Sequence, residues 1–279
     1  MGYHSWMMGP LGMSLTALGL YGAAEAFSIG HLRTDREGYG RMATLLLLLG
    51  FLVHFLALEV GGRAEGTVPY QNLPGSLSLF AWMLAAAYGV LFLRHREGST
   101  GPFLIPLVIL FMAASLLVHS NQAPHAPHDP MRSGSLFAMH VTLAILGYAG
   151  LTLSFVLAQM YLLQTRQLHK HKLGLLFSRL PALDVLTRMH RTSVAMGALA
   201  LAVASCLGII WAKQNWGTYW DPKVAFTFLL ILVYGFTLIA PRLGWGGKKI
   251  AWTSIAGFFL LMFSYSIVNL FITVGHVFR

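Results

Sequence analysis

Long apolar runs alternate along the chain with short polar, glycine-rich or proline-rich interruptions. The runs cover about 6–30, 41–60, 74–93, 103–119, 135–164, 192–212, 223–241 and 250–275. Each has the length a helix needs to cross a hydrocarbon core of about 30 Å. The pattern predicts an all-α polytopic membrane protein with eight transmembrane helices. The fifth run is long enough to extend beyond the bilayer at one end. Every connection is short except 165–191, and no internal repeat interrupts the series. Residues 1–279 therefore read as a single eight-helix transmembrane domain.

Composition removes the alternatives. The chain is 56% hydrophobic and 10% charged, against about 25% charged in soluble domains. A soluble enzyme, a disordered chain and a coiled coil are excluded. One cysteine, Cys206, rules out a disulfide framework, a thiolate zinc site and an iron–sulfur cluster. Cys206 lies in an apolar run and reads as inert packing. No C-x-x-C-H occurs, so the chain is not itself a c-type cytochrome.

The net charge of +10 is a topology signal. Fourteen Lys and Arg fall in the connections after runs one, three, five and seven. Only Arg63, Arg132, Lys213, Lys223 and Arg279 fall on the opposite side. Positive residues accumulate in cytoplasmic loops, which puts both termini outside and leaves no argument for nucleic acid. The first basic residue is Arg33, so the first run reads as a retained helix and not a cleaved signal.

With that orientation, four features gather on the outer face. They are the segment 68–74, the His-rich loop 119–130, an aromatic loop at about 211–222, and the C-terminal end around His276. His140 opens the fifth span on that side and His276 closes the eighth. Haem iron accepts imidazole axially, and a porphyrin needs aromatic walls. Trp211, Trp216, Tyr219 and Trp220 supply such walls, and Lys213 and Lys223 are cations suited to propionates. The same aromatics equally suit an interfacial belt, where Trp and Tyr collect by default.

His54 lies inside the second span, where an ionisable group is costly and calls for a function or a partner. The bland reading is a neutral imidazole hydrogen-bonded to a neighbouring helix. Glu25 and Glu59 sit near span ends and carry no assigned role. His119, His125 and His128 share a proline-rich loop that reads as polar and not as a metal site. His4, His31, His95, His169, His171 and His190 read as interfacial.

The aromatic loop is also where the chain resembles the cytochrome c assembly proteins of the CcsA, ResC, HemX and CcmC types. Trp216-Gly217-Thr218-Tyr219-Trp220-Asp221-Pro222-Lys223 is similar to their external W-G-x-x-W-x-W-D loop, two residues shorter. The stretch from His140 to Gly150 is similar to their helix that opens on an external histidine. Val268-Asn269-Leu270 followed by Gly275-His276 is similar to their last helix. Pro69-Tyr70-Gln71-Asn72-Leu73-Pro74-Gly75-Ser76-Leu77 is similar to P-x-x-N-x-x-E-S-L, with Gly75 in place of the Glu. Val224 stands where an acidic residue is usual. Phe236-Thr237-Leu238-Ile239-Ala240 stands where the CcsA type carries a second membrane histidine.

The resemblance implies haem b as cofactor, with His140 and His276 as external axial ligands. Trp211, Trp216, Gly217, Tyr219, Trp220 and Asp221 would form the platform, and His54 would be a ligand within the membrane. The implied process is haem delivery to apocytochrome c, or a c-type cytochrome subunit, outside the cytoplasmic membrane. A further membrane assembly subunit would be its partner, so any attachment activity is shared. Two other roles stay open: a subunit of a membrane redox complex, and a HemX-like accessory of haem synthesis acting through 165–191.

Overall fold

The computed structural model describes residues 3–65, 68–119, 134–170, 174, 178–216 and 222–271. Among them are eight long helices: α1 (Tyr3–Thr34), α2 (Glu37–Glu65), α3 (Leu73–His95), α4 (Gly101–His119), α5 (Ser135–His169), α6 (Leu183–Trp216), α7 (Pro222–Ile239) and α8 (Gly247–Phe271). The chain is an all-α polytopic membrane protein. Six stretches, one in each of α2 to α6 and the sixth over Val224–Leu243, are long and apolar enough to cross a membrane. The residues form two compact units, Met1–Asp129 and Pro130–Arg279.

In the first unit α1 and α2 form a tight helical hairpin. Asp35 sits in the left-handed region at φ 59°, and its N–H donates to the His31 carbonyl at 2.9 Å. Asp tolerates that conformation better than most residues. At the other end, Pro69–Gln71 makes one 3-10 turn and α3 begins behind Asn72. The Asn72 side chain accepts from Gly75 N–H at 2.7 Å, and Pro74 needs no hydrogen-bond partner for a missing N–H. Gly75 packs against the Pro69 carbonyl so closely that a Cβ would collide with it. The glycine found in place of the family's Glu is thus built into this turn. Tyr70 is buried beside it, which pushes its hydroxyl pKa up. The Ser115 hydroxyl on α4 donates to the Pro74 carbonyl at 2.7 Å and ties α4 to the start of α3.

The second unit is organised by the α5–α6 pair. Gly147, Gly150 and Gly197 bring the two backbones together; a Cβ on Gly150 would stand 2.8 Å from Gly197 Cα. Small residues permit such close approach where lipid supplies no hydrophobic drive between helices. The Ser193 hydroxyl crosses the seam to the Gly150 carbonyl at 2.7 Å. Leu151, Val194, Leu201, Leu230, Tyr234 and Leu261 form the core from α5 to α8. Phe155 stacks on Phe258 at 4.1 Å between α5 and α8.

Two expected boundaries move. The connection expected over 165–191 shrinks to the residues between His169 and Leu183, because both helices continue past their apolar runs. At 35 residues, α5 is about 52 Å long at 1.5 Å per residue, so its end extends well beyond the hydrocarbon. The aromatic stretch expected as a loop from 211 is helical through Trp216. Asn215 Nδ2 donates to the Trp211 carbonyl at 2.9 Å within that last turn.

Candidate functional site

His140 lies in the second turn of α5, and its imidazole fits against α6. Its Nδ1 is 2.7 Å from the Ala204 carbonyl oxygen. A carbonyl only accepts, so Nδ1 carries the proton and Nε2 presents a lone pair. Nε2 has no hydrogen-bond partner among the described residues. Gly208, one turn beyond Ala204, makes the fit possible. A Cβ there would lie 2.5 Å from the His140 ring, so any other residue would push the imidazole off its carbonyl.

Aromatic side chains stand on the same end of this helix pair. Phe137 lies 6.1 Å from the His140 ring, centroid to centroid, and 4.7 Å from the ring of Trp211. Trp211 is buried, with 6% of its surface exposed. Gly197, Leu201, Ala204, Gly208 and Trp211 recur at the three- and four-residue steps of one helix face. That face of α6 is the seat for His140. A histidine whose Nδ1–H is bound to a carbonyl, with Nε2 left to the metal, is the usual arrangement of a metal-ligating imidazole. His140 is thus a described side chain whose geometry would suit holding an iron.

The remaining members of the expected external site are Trp216, Gly217, Tyr219, Trp220, Asp221 and His276. The backbone of Trp216 closes α6, but its side chain and the other five residues lie outside the described residues. So do His125 and His128. Among the described residues no three His, Cys, Asp or Glu side chains converge on a metal-sized site.

His54 has a different setting. It is 0% exposed, enclosed by its own helix and two neighbours of the first unit. Its Nδ1 is 3.3 Å from Tyr21 Oη on α1, and its Nε2 is 2.9 Å from Ser78 Oγ on α3. Gly50, one turn earlier, gives the Tyr21 ring its space. Phe51 stacks on Trp82 at 4.7 Å, and Trp82 Nε1 donates to the Phe51 carbonyl at 3.1 Å. Both nitrogens of this imidazole are engaged, so iron would have to displace a helix contact to reach either one.

His190, which the sequence suggests is interfacial, is buried, with its Nε2 2.7 Å from Ser254 Oγ on α8. Its signal was helical spacing with the buried Leu186, Ser193, Val194 and Gly197. Glu59 pairs with Arg63 at 2.8 Å along the helix surface. Cys206 is exposed on α6 and not enclosed in packing.

Residues 70–276 match the family model described as "Cytochrome C assembly protein". The chain is 30% identical over 237 residues to "Cytochrome c biogenesis protein CcsA" of Chlamydomonas reinhardtii, covering 82% of this chain and 64% of that protein. It is 27% identical over 273 residues to the protein of the same name from Pyropia yezoensis, covering 83% and 85%. It is 28% identical over 249 residues to "Protein HemX" of Bacillus subtilis (strain 168), covering 87% and 88%. The chain thus spans less than two thirds of the Chlamydomonas protein's length and most of the other two.

Proposed function

The chain belongs to the cytochrome c assembly protein family, and on that premise we propose that it binds haem b for delivery to apocytochrome c. The observation that carries this reading is the His140 imidazole, whose Nδ1–H is spent on the Ala204 carbonyl at 2.7 Å. His140, through Nε2, and His276, as the family resemblance implies, would be the residues that hold the haem iron. Phe137 and Trp211 wall the His140 side. Trp216, Gly217, Tyr219, Trp220 and Asp221 form the rest of the platform.

The bound group supplies the iron and the vinyl carbons to which thiols of apocytochrome c add. This chain's share is to hold, orient and shield. The Ala204 carbonyl fixes the His140 tautomer and makes Nε2 a better donor. Gly208 sets the depth of the ring. The only cysteine, Cys206, lies within an apolar helix, so the thiols come from the acceptor. A further membrane subunit completes the assembly machinery.

The proposed setting is the cytoplasmic membrane, with eight spans, both termini outside and the tryptophan-rich loop on the outer face. The fourteen-to-five distribution of Lys and Arg supports that orientation. With Cys206 replaced, Gln122→Cys and Gly217→Cys are expected to react with a membrane-impermeant maleimide in intact cells. Asp35→Cys and Lys170→Cys are expected to stay protected until the membrane is opened. Protection of position 217 would overturn the external site.

Haem itself is tested by purifying the protein with its native partners and recording a pyridine haemochrome spectrum. A b-type spectrum that disappears once apocytochrome c is supplied supports delivery. A b-type haem that stays bound through electron transfer would instead make the chain a subunit of a redox complex. A preparation that never carries haem contradicts both and returns the chain to a HemX-like accessory role.

A further inference from the structure

The first unit contains a groove that neither histidine site uses. It has a volume of about 380 Å³ and runs between α2 and α3, backed by residues of α1 and α4. One end lies at His31, Gly40 and Gly98, beside the α1–α2 and α3–α4 connections. The other end is closed by Phe51, which stacks on Trp82. From Gly40 to Phe51 is eleven residues of α2, or about 17 Å at 1.5 Å per residue. Half of a 30 Å hydrocarbon core is about 15 Å. The groove therefore spans one leaflet, from interface to midplane.

Its walls are almost entirely apolar, and its open side carries Leu48 and Leu93, 54% and 64% exposed. Gly89 lines it, and a Cβ at that position would meet nothing within 4 Å. At the interfacial end, five arginines (Arg33, Arg36, Arg41, Arg94 and Arg96) face three carboxylates in the two connections and their flanks. All three carboxylates together leave two of the five arginine charges unbalanced. Glu37 pairs with Arg41 at 2.8 Å, and Glu97 accepts from the Ser99 hydroxyl and N–H at 2.6 and 3.1 Å. The end of the groove thus retains positive charge at headgroup depth.

We propose that this groove is a binding site for one anionic glycerophospholipid. An acyl chain lies along α2 and α3 as far as Phe51, and the phosphate faces the arginines of the two connections. Length selects an acyl chain, the lateral opening admits it from the bilayer, and the basic rim selects an anionic headgroup. The occupant fills the gap between α2 and α3 on the interfacial side of the Tyr21–His54–Ser78 contacts.

The experiment is native mass spectrometry of the full-length protein after exchange into vesicles of equal phosphatidylglycerol and phosphatidylcholine. The wild type is expected to retain one phosphatidylglycerol through detergent release. Gly89→Phe fills the groove and is expected to lose that adduct. Gly22→Phe, on an exposed position of α1 whose Cβ also meets nothing within 4 Å, is expected to keep it. Gly89→Leu serves in place of Gly89→Phe if the larger residue prevents folding. The double variant Arg94→Gln, Arg96→Gln is expected to keep a lipid but lose the preference for phosphatidylglycerol. A wild type without a retained lipid, or an adduct unchanged by both Gly89 variants, overturns the site. An undiminished preference in the arginine variant overturns the choice of an anionic headgroup.

Discussion

At His54 the imidazole joins three helices of the first unit; at His140 it rests on one carbonyl of the second and has a nitrogen left over. Both rings stand in helices that cross an apolar environment. The difference lies in what each neighbouring helix offers. Tyr21 and Ser78 present hydroxyl groups, which donate as well as accept and so satisfy both ring nitrogens of His54. Ala204 presents a carbonyl, which satisfies one nitrogen and dictates the tautomer of the other. A histidine packed against a neighbouring helix is thus a structural tie or a poised ligand according to its partners. His54 is fully buried and His140 half-buried, and the groups opposite each ring set the two roles apart.

Four substitutions probe that contrast, in falling order of expected effect. Gly75 lies one turn before Ser78, against the Pro69 carbonyl. Restoring the family's acidic residue with Gly75→Glu forces backbone to move and is expected to cost about 3 kcal/mol, at the upper end of overpacking. Thermal unfolding would show it, and an unchanged melting point would mean that the turn relaxes freely. Gly208→Val puts side-chain atoms into the His140 ring and is expected to cost about 2 kcal/mol. It should also displace Nε2, so low-spin haem absorbance falls even in protein that remains folded. Retained absorbance would show that ring depth does not matter.

His54→Ala leaves the buried Tyr21 hydroxyl and the half-buried Ser78 hydroxyl without their shared partner. A cost of about 1–2 kcal/mol is expected, read as a lower melting temperature with the shape of the low-spin spectrum unaltered. A spectrum that loses a second haem component in this variant would restore His54 as an intramembrane ligand. Tyr21→Phe removes only the longer contact, 3.3 Å. About 0.6 kcal/mol is expected, the average for such bonds between membrane helices. A larger loss would mean that Tyr21, and not Ser78, holds the imidazole in place.

Much of this fold is legible in the sequence, because lipid forces every span to be a long apolar helix. The ends of helices are less so. Asp184 and Arg188 pair at 2.7 Å along the first turns of α6, in a polar stretch that apolar counting assigns to a loop. The helix continues there because backbone hydrogen bonding does not require apolar side chains. His140 is legible as a candidate from its position at the start of a span. Its support is not, because Gly208 and Ala204 carry no functional group and act through space they leave and a carbonyl they expose. A hydrogen bond from His54 to a neighbouring helix is one of the two readings open in the sequence, but its partners Tyr21 and Ser78 are hidden there. Each residue is ordinary in its own helix, and the set exists only through pairings 24 and 33 residues apart.

The central claim is that His140, and not His54, presents a nitrogen to iron. The most direct measurement compares His140→Gly and His54→Gly in matched preparations by visible absorbance, before and after adding imidazole. The expected result is loss of the low-spin signature in His140→Gly alone, with recovery as exogenous imidazole takes the vacated position beside Ala204. A low-spin spectrum that survives in His140→Gly, or one lost and rescued only in His54→Gly, would contradict the account.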